Sequence, residues 1–152
     1  MVEGLAEDLR EERDTTELQA LAKSVGWKIT TDQAGSLLAP KGTVLGYRHD
    51  GQLIASAGLY TYGSELASLG VVIFLAYQRK GLGKRIVMRC LIEAERIHSP
   101  VTLVTTEQGF LLYESLGFRT VGYVHRFEAD SAFRGKMKTL GKTCRCLKRV
   151  TC

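Results

Sequence analysis

No apolar run in the 152 residues approaches the ~20 that a membrane helix needs, which excludes a helical membrane span. The opening stretch MVEGLAEDLREERD carries acids where a signal peptide carries an apolar segment, so nothing addresses the chain outward and the cytoplasm is the expected compartment. Cysteine is scarce and badly spread for metal or disulfide chemistry. Cys144, Cys146 and Cys152 crowd the end and Cys90 sits inside a helical pattern, which matches neither a finger nor a distributed disulfide framework. The spacing Cys144-Arg145-Cys146 is too short for a zinc knuckle. Reduced thiols and no metal are expected. His49, His98 and His125 are scattered, and no spacing ties one of them to a site.

Acids are missing altogether from Ser131 onward, where seven cations stand: Arg134, Lys136, Lys138, Lys142, Arg145, Lys148 and Arg149. The formal net charge of +5 is therefore a property of the end. Before Ser131 there are fourteen basic and sixteen acidic residues, a net of −2. A basic balance confined to a short tail is weak support for nucleic-acid binding. The composition reads as one domain over residues 1–130 followed by a basic, disordered tail over 131–152, with polyanion contact by the tail as the rival use. A chain of this length can bury roughly 70% of its unfolded surface, enough for a proper core.

What is present begins with helix. ELQALAKSVGW places Leu18, Leu21, Ala22 and Val25 at helical spacing, with Thr15 or Thr16 as cap and Gly26 as stop. TTDQAGSLLAP repeats the plan more briefly, capped by Thr30 or Thr31 and ended before Pro40. The period then shortens to that of strands. TVLGYRH and QLIASAGLYTY are joined by Asp50-Gly51, the strongest short-range hairpin signal, and ELASLGVVIFL follows as a third strand. A helix from about Leu82 to His98 shows one apolar face of Ile86, Val87, Cys90, Leu91, Ala94 and Ile97. VTLVTT predicts a short buried strand, GFLLYESLG a two-turn helix, and FRTVGYVHRFEA the last strand. Helices interleaved only in the second half mark a mixed α+β sheet, mostly antiparallel, rather than a doubly wound parallel one.

One stretch asks for a ligand. Tyr77-Gln78-Arg79-Lys80-Gly81-Leu82-Gly83-Lys84-Arg85 leaves a buried strand and enters a helix at once. A helix start offers unpaired N–H groups and the positive end of the macrodipole, which suits phosphate. Gly81 and Gly83 let the backbone approach it. The P-loop pattern G-x-x-x-x-G-K-[ST] is absent, and the dinucleotide pattern G-x-G-x-x-G fails because Ile86 stands where the third glycine belongs.

Gln78-Arg79-Lys80-Gly81-Leu82-Gly83 does fit Q/R-x-x-G-x-G/A, and that pattern resembles the pyrophosphate loop of the GNAT superfamily of acetyl-CoA-dependent N-acyltransferases. Leu112-Tyr113-Glu114-Ser115-Leu116-Gly117-Phe118 is similar to a second signature of that family, at the expected distance and before the expected last strand. The resemblance covers roughly residues 14–128. It implies a fold in which the fourth and fifth strands splay to admit the cofactor.

The resemblance also implies roles. Main-chain groups of Val71 and Ile73, with Val72 between them, would bond the pantetheine arm as an added strand would. Backbone amides of Gln78, Arg79, Lys80, Gly81, Leu82, Gly83 and Lys84 would hold the pyrophosphate. Tyr113 corresponds to the tyrosine that protonates the departing thiolate, with plain amphipathic packing as the alternative. Glu65, placed early in the third strand, occupies a region where relatives sometimes carry a carboxylate base; water or the substrate could serve instead. Relatives often carry N-x-x-A before the tyrosine helix. Here Thr106 and Gly109 occupy those positions, and Thr106 could replace part of the asparagine's hydrogen bonding. Arg79 stands where glycine is usual.

The implied activity is transfer of acetyl from acetyl-CoA to a primary amine by direct attack in a ternary complex. An acyl-CoA sensor or impaired remnant is the alternative, and a polyanion-associated protein acting through its tail is a third reading. Trp27, Tyr60 and Tyr62 could line an acceptor pocket, and the acidic body favours cationic amines. ALAKSVGWKIT and LVTTEQGFLLYESLGF also resemble the first domain of a tandem acetyltransferase group. A homodimer is common in the family, and no interface can be read from the sequence.

Overall fold

The computed structural model describes residues 7–8, 12–38, 42–128 and 138–149. Its chain divides into two compact units, residues 1–101 and 102–150. Among the described residues no helix is long and apolar enough to cross a membrane.

The first unit is an antiparallel ladder clothed by helices. Strand β1 (Glu7–Asp8) pairs with β2 (Gly42–His49), β2 with β3 (Gln52–Tyr62), and β3 with β4 (Leu66–Ile73). Asp50 and Gly51 both take positive φ, 50° and 77°, which is the type I′ turn that a two-residue hairpin requires. Helix α1 (Glu12–Ser24) starts earlier than its Thr15 or Thr16 cap predicts. The reason is tertiary. Asp14 lies buried in the first turn and accepts a hydrogen bond from Arg48 of β2 at 2.6 Å, and Glu17 accepts a second from the same guanidinium. Helix α2 (Thr31–Leu37) is capped as expected by Thr30, whose hydroxyl accepts from the Gln33 amide while the Gln33 side chain accepts from the Thr30 amide. Helix α3 (Leu82–Arg96) buries Leu82, Ile86, Val87, Cys90, Leu91 and Ala94.

Strand β3 is buried without break from Leu53 to Leu59. A strand covered on both faces loses the polar alternation of a half-exposed one. The small residues Ala55, Ser56, Ala57 and Gly58 keep it thin, and the Tyr60 ring folds back over Gly58, where a Cβ would strike it.

The second unit holds β5 (Val101–Thr105, its first residue in unit one), α4 (Glu107–Ser115), β6 (Arg119–Glu128) and β7 (Lys138–Arg149). Strand β7 lies between β5 and β6 and runs antiparallel to β6, with bulges near Gly122 and between His125 and Phe127. This corrects two expectations. FRTVGYVHRFEA is not the last strand, and residues 138–149 are not a disordered tail. Lysine and arginine mask a strand pattern here: Leu147 is fully buried, Thr102 of β5 donates its hydroxyl to the Leu147 carbonyl at 3.0 Å, and Arg145 and Arg149 have partners inside the unit. The remaining tail residues, 131–137 and 150–152, lie outside the described set.

The mixed α+β class with mostly antiparallel strands stands as expected.

Candidate functional site

Strand β4 reaches the glycine stretch through one turn of 3-10 helix, Leu75–Tyr77. Register fixes which of its backbone groups are spoken for. The Phe74 amide donates to the Ile54 carbonyl at 2.7 Å while Ala55 faces Ile73, so Ala55 and Ile73 form a non-hydrogen-bonded pair of the antiparallel ladder. The N–H and C=O of Ile73, and by the period of two those of Val71, point away from β3. Those of Val72 point into the ladder. The Ala67 amide has the same parity as Val71 and donates to the Pro100 carbonyl at 2.8 Å. The Gln78 side-chain amide donates to the Ile73 carbonyl at 3.0 Å, tying the loop to the strand end. A carbonyl has two lone pairs, so one remains.

The loop itself is shaped for an anion. Arg79 and Gly81 both adopt left-handed backbone, φ 61° and 80°. The N-cap of α3 is Gly81, and no side chain caps it. The first N–H groups of α3 therefore have no intrahelical acceptor and no cap oxygen. A Cβ at Gly81 would meet nothing within 4 Å, so open space lies beside the helix start. Alternating left-handed residues and an uncapped N-terminus form a concavity of amides suited to phosphate oxygens. The neighbouring cations divide into two pairs. All four are exposed, but Lys80 lies over the Tyr77 ring at 5.7 Å and Arg85 over the Tyr47 ring at 5.2 Å. His49 meets the edge of Tyr77 at 5.8 Å between ring centroids. That contact has no signature in the sequence, because the hairpin end and the loop are nearly thirty residues apart.

Tyr113 lies half-buried on α4 in the second unit, edge-to-face with Phe118 at 5.7 Å. The Phe118 amide returns to the Tyr113 carbonyl at 3.1 Å, and Gly117 (φ 92°) makes the turn. Thr106 is the N-cap of α4 and makes no side-chain cap bond. Its carbonyl accepts from the Gly109 amide and from the Thr105 hydroxyl. Gly109 has a steric reason. A Cβ there would lie 2.5 Å from the Thr105 hydroxyl oxygen and 3.6 Å from Cε2 of Tyr113, so the buried Thr105 side chain takes the room that an alanine needs.

Glu65 falls in the exposed turn before β4, not in the strand. The seven steps from Leu66 to Ile73 span about 23 Å, which sets Glu65 far from the loop end of β4. Trp27 and Tyr62 are exposed and Tyr60 is half-buried; burial and the nearby Cys90 push the Tyr60 phenol up to about 12. An open cleft of about 520 Å³ lies at the far end of β3 and β4 from the loop, walled by Thr43, Thr61, Ser64 and the Glu93–Arg96 ion pair. Among the described residues no group of three or more acidic, histidine or cysteine side chains is placed to hold a metal.

Residues 40–120, more than half of the chain, match the family model described as an acetyltransferase (GNAT) domain. The chain belongs to the GNAT acetyltransferase family. An uncharacterized N-acetyltransferase of Bacillus subtilis, YitH, is 34% identical over 122 residues, which is 79% of this chain and 43% of that protein. The chain thus spans less than half the length of that curated relative. Among solved structures, the ribosomal-protein-S18-alanine N-acetyltransferase of Escherichia coli superimposes with a TM-score of 0.79 at 17% identity, covering 97% of this chain and 94% of that one. An aminoglycoside 6'-N-acetyltransferase complexed with coenzyme A gives 0.76 at 12% identity, covering 97% of each. At such identities the superpositions show the GNAT fold.

Proposed function

We propose that this GNAT domain transfers acetyl from acetyl-CoA to a primary amine by direct attack in a ternary complex. The observation that carries the reading is the start of α3, where a left-handed Gly81 replaces a side-chain cap and leaves the first amides to an anion. Amides from Gln78 to Lys84 hold the pyrophosphate, and the groups of Val71 and Ile73 that face away from β3 meet the pantetheine amides. Membership of an acetyl-CoA-using family supports the donor, and the names of the two solved relatives described above, both N-acetyltransferases, support an amine acceptor.

The amine nitrogen attacks the thioester carbonyl, and the tetrahedral intermediate collapses by breaking the carbon–sulfur bond. The thiolate takes a proton from the Tyr113 phenol, which regains one from solvent. The attacking nitrogen gives its proton to water. Glu65 is left out because of the span of β4.

Isothermal titration of acetyl-CoA against wild type and a Gly81→Glu, Gly83→Glu variant tests the donor site. Micromolar binding by wild type and none by a folded variant is expected. Release of coenzyme A thiol with a peptide bearing N-terminal alanine and an aminoglycoside as acceptors then tests transfer, with Tyr113→Phe expected to lower kcat. No binding by folded wild type overturns the proposal. Binding without transfer to any amine turns the domain into an acyl-CoA-binding module.

A further inference from the structure

Helix α4 carries Tyr113, yet none of its residues is fully buried. A nine-residue helix is marginal by itself, and most helical stability in proteins comes from a packed apolar face. Something else must hold it. Two arginines of β7 grip its two ends. At the N-terminal end the Arg145 guanidinium donates to Glu107 at 2.5 Å, stacks over Phe110 at 4.3 Å, and stands 5.7 Å from the Tyr123 ring centroid. At the C-terminal end Arg149 Nε donates to the Leu116 carbonyl at 2.9 Å. Glu107 in the first turn and Arg149 on the last carbonyls each have the sign that the helix dipole favours, and Arg145 reaches the N-terminal end through that acid. Gly117, whose φ of 92° turns the chain there, lies directly beside the second grip.

Strand β7 is a firm base for both. Its ladder with β6 runs from Lys148 opposite Arg119 to Lys138 opposite Glu128, and Leu147, between the two arginines, is fully buried. The side chains at 145, 147 and 149 share one face of a strand, so both grips and the buried leucine face α4 together.

We propose that Arg145 and Arg149 are positioning residues: they pin α4 at both ends and thereby fix Tyr113 for protonation of the leaving thiolate. The inference rests on the transfer reading for the role of Tyr113. The pinning itself does not.

Hydrogen exchange read by mass spectrometry, on the full chain, separates the two. In Arg145→Met and Arg149→Met the amides of α4 should exchange about tenfold faster, and in the double variant about a hundredfold, while β3 and β6 keep their protection. Glu107→Gln, which keeps the shape and removes the charge, should reproduce part of the Arg145→Met effect if the latter fails to fold. Arg145→Lys should recover only part of the protection, because an ammonium lacks the planar stack on Phe110. With the best acceptor of wild type, kcat should fall about tenfold in each methionine variant while KM for acetyl-CoA stays within about twofold. Unchanged exchange across α4 overturns the pin. Faster exchange with unchanged kcat overturns the link to Tyr113. Wild type that acetylates nothing overturns the transfer reading instead, and exchange alone then decides the pin.

Discussion

Helices α3 and α4 carry the two elements proposed to serve the reaction, and they are secured in opposite ways. Helix α3 sinks six side chains into the first unit and leaves its N-terminus bare. Helix α4 sinks none fully, and arginines from a distant strand hold both ends. The contrast suits what each is proposed to offer. A helix that gives its first amides to a ligand cannot spend them on a cap, so its anchorage has to come from its flank. A helix that gives a side chain can have its ends tied down, which steadies that side chain without burying it.

The largest contrast should appear in thiol reactivity. Cys90 of α3 is wholly inaccessible, and burial pushes its thiol up to about 12, whereas Cys144 and Cys146 of β7 are partly exposed. At pH 8 iodoacetamide followed by mass spectrometry should find Cys144 and Cys146 labelled at least about a thousandfold faster than Cys90, which reacts only through opening of the fold. The sign of the pH dependence follows. A thiol raised from its ordinary 9.0 favours the folded state fully below that value and loses this contribution as pH climbs toward 12. Tyr60 acts in the same direction from 10.0 to about 12. Stability measured by urea should therefore decline between pH 9 and 12, and Cys90→Ala should flatten the lower part of that decline.

Next come the flanks. Ile86→Ala removes a fully buried side chain of α3 and should cost about 2–5 kcal/mol in urea unfolding. Leu111→Ala on α4, where the leucine is 74% exposed, should stay within about 0.5 kcal/mol. Equal losses would erase the distinction between the helices.

A smaller effect sits inside α4. Gly109→Ala improves helix propensity but drives a methyl against the Thr105 hydroxyl, and a net loss of about 1 kcal/mol is expected. Adding Thr105→Ala should recover it, a coupling readable in a double-mutant cycle. The smallest effect belongs to the loop. Arg79 bears left-handed backbone that glycine adopts freely, so Arg79→Gly should leave stability unchanged or raise it by up to about 0.5 kcal/mol, the released strain being offset by glycine's greater unfolded entropy. Its effect on acetyl-CoA binding, read by titration, should be under about threefold.

Local signals were legible in the sequence and long-range ones were not. Asp50-Gly51 and Thr30 with Gln33 carry their own geometry, so the hairpin and the α2 cap read correctly. The turn from β4 into α3 is legible at Gly81 because strand, glycines and helix are contiguous. The start of α1 was misplaced because Asp14 answers to Arg48, thirty-four residues away. Strand β7 resembles a solvated, disordered tail in composition because its cations show no partners in the sequence. Arg145 faces Glu107 and Arg149 a helix end, and neither relation leaves a trace in composition. The steric fit of Gly109 to Thr105 was equally invisible, since it depends on how a strand end meets the helix that follows it.

The grips on α4 join residues thirty-eight and thirty-three positions apart, with the arginine always the later one. During vectorial synthesis the tyrosine-bearing helix is made before either arginine. Until β7 has emerged and paired, α4 is a short helix without its moorings. Tyr113 is thus steadied late, after the helix that follows the glycine stretch has been made.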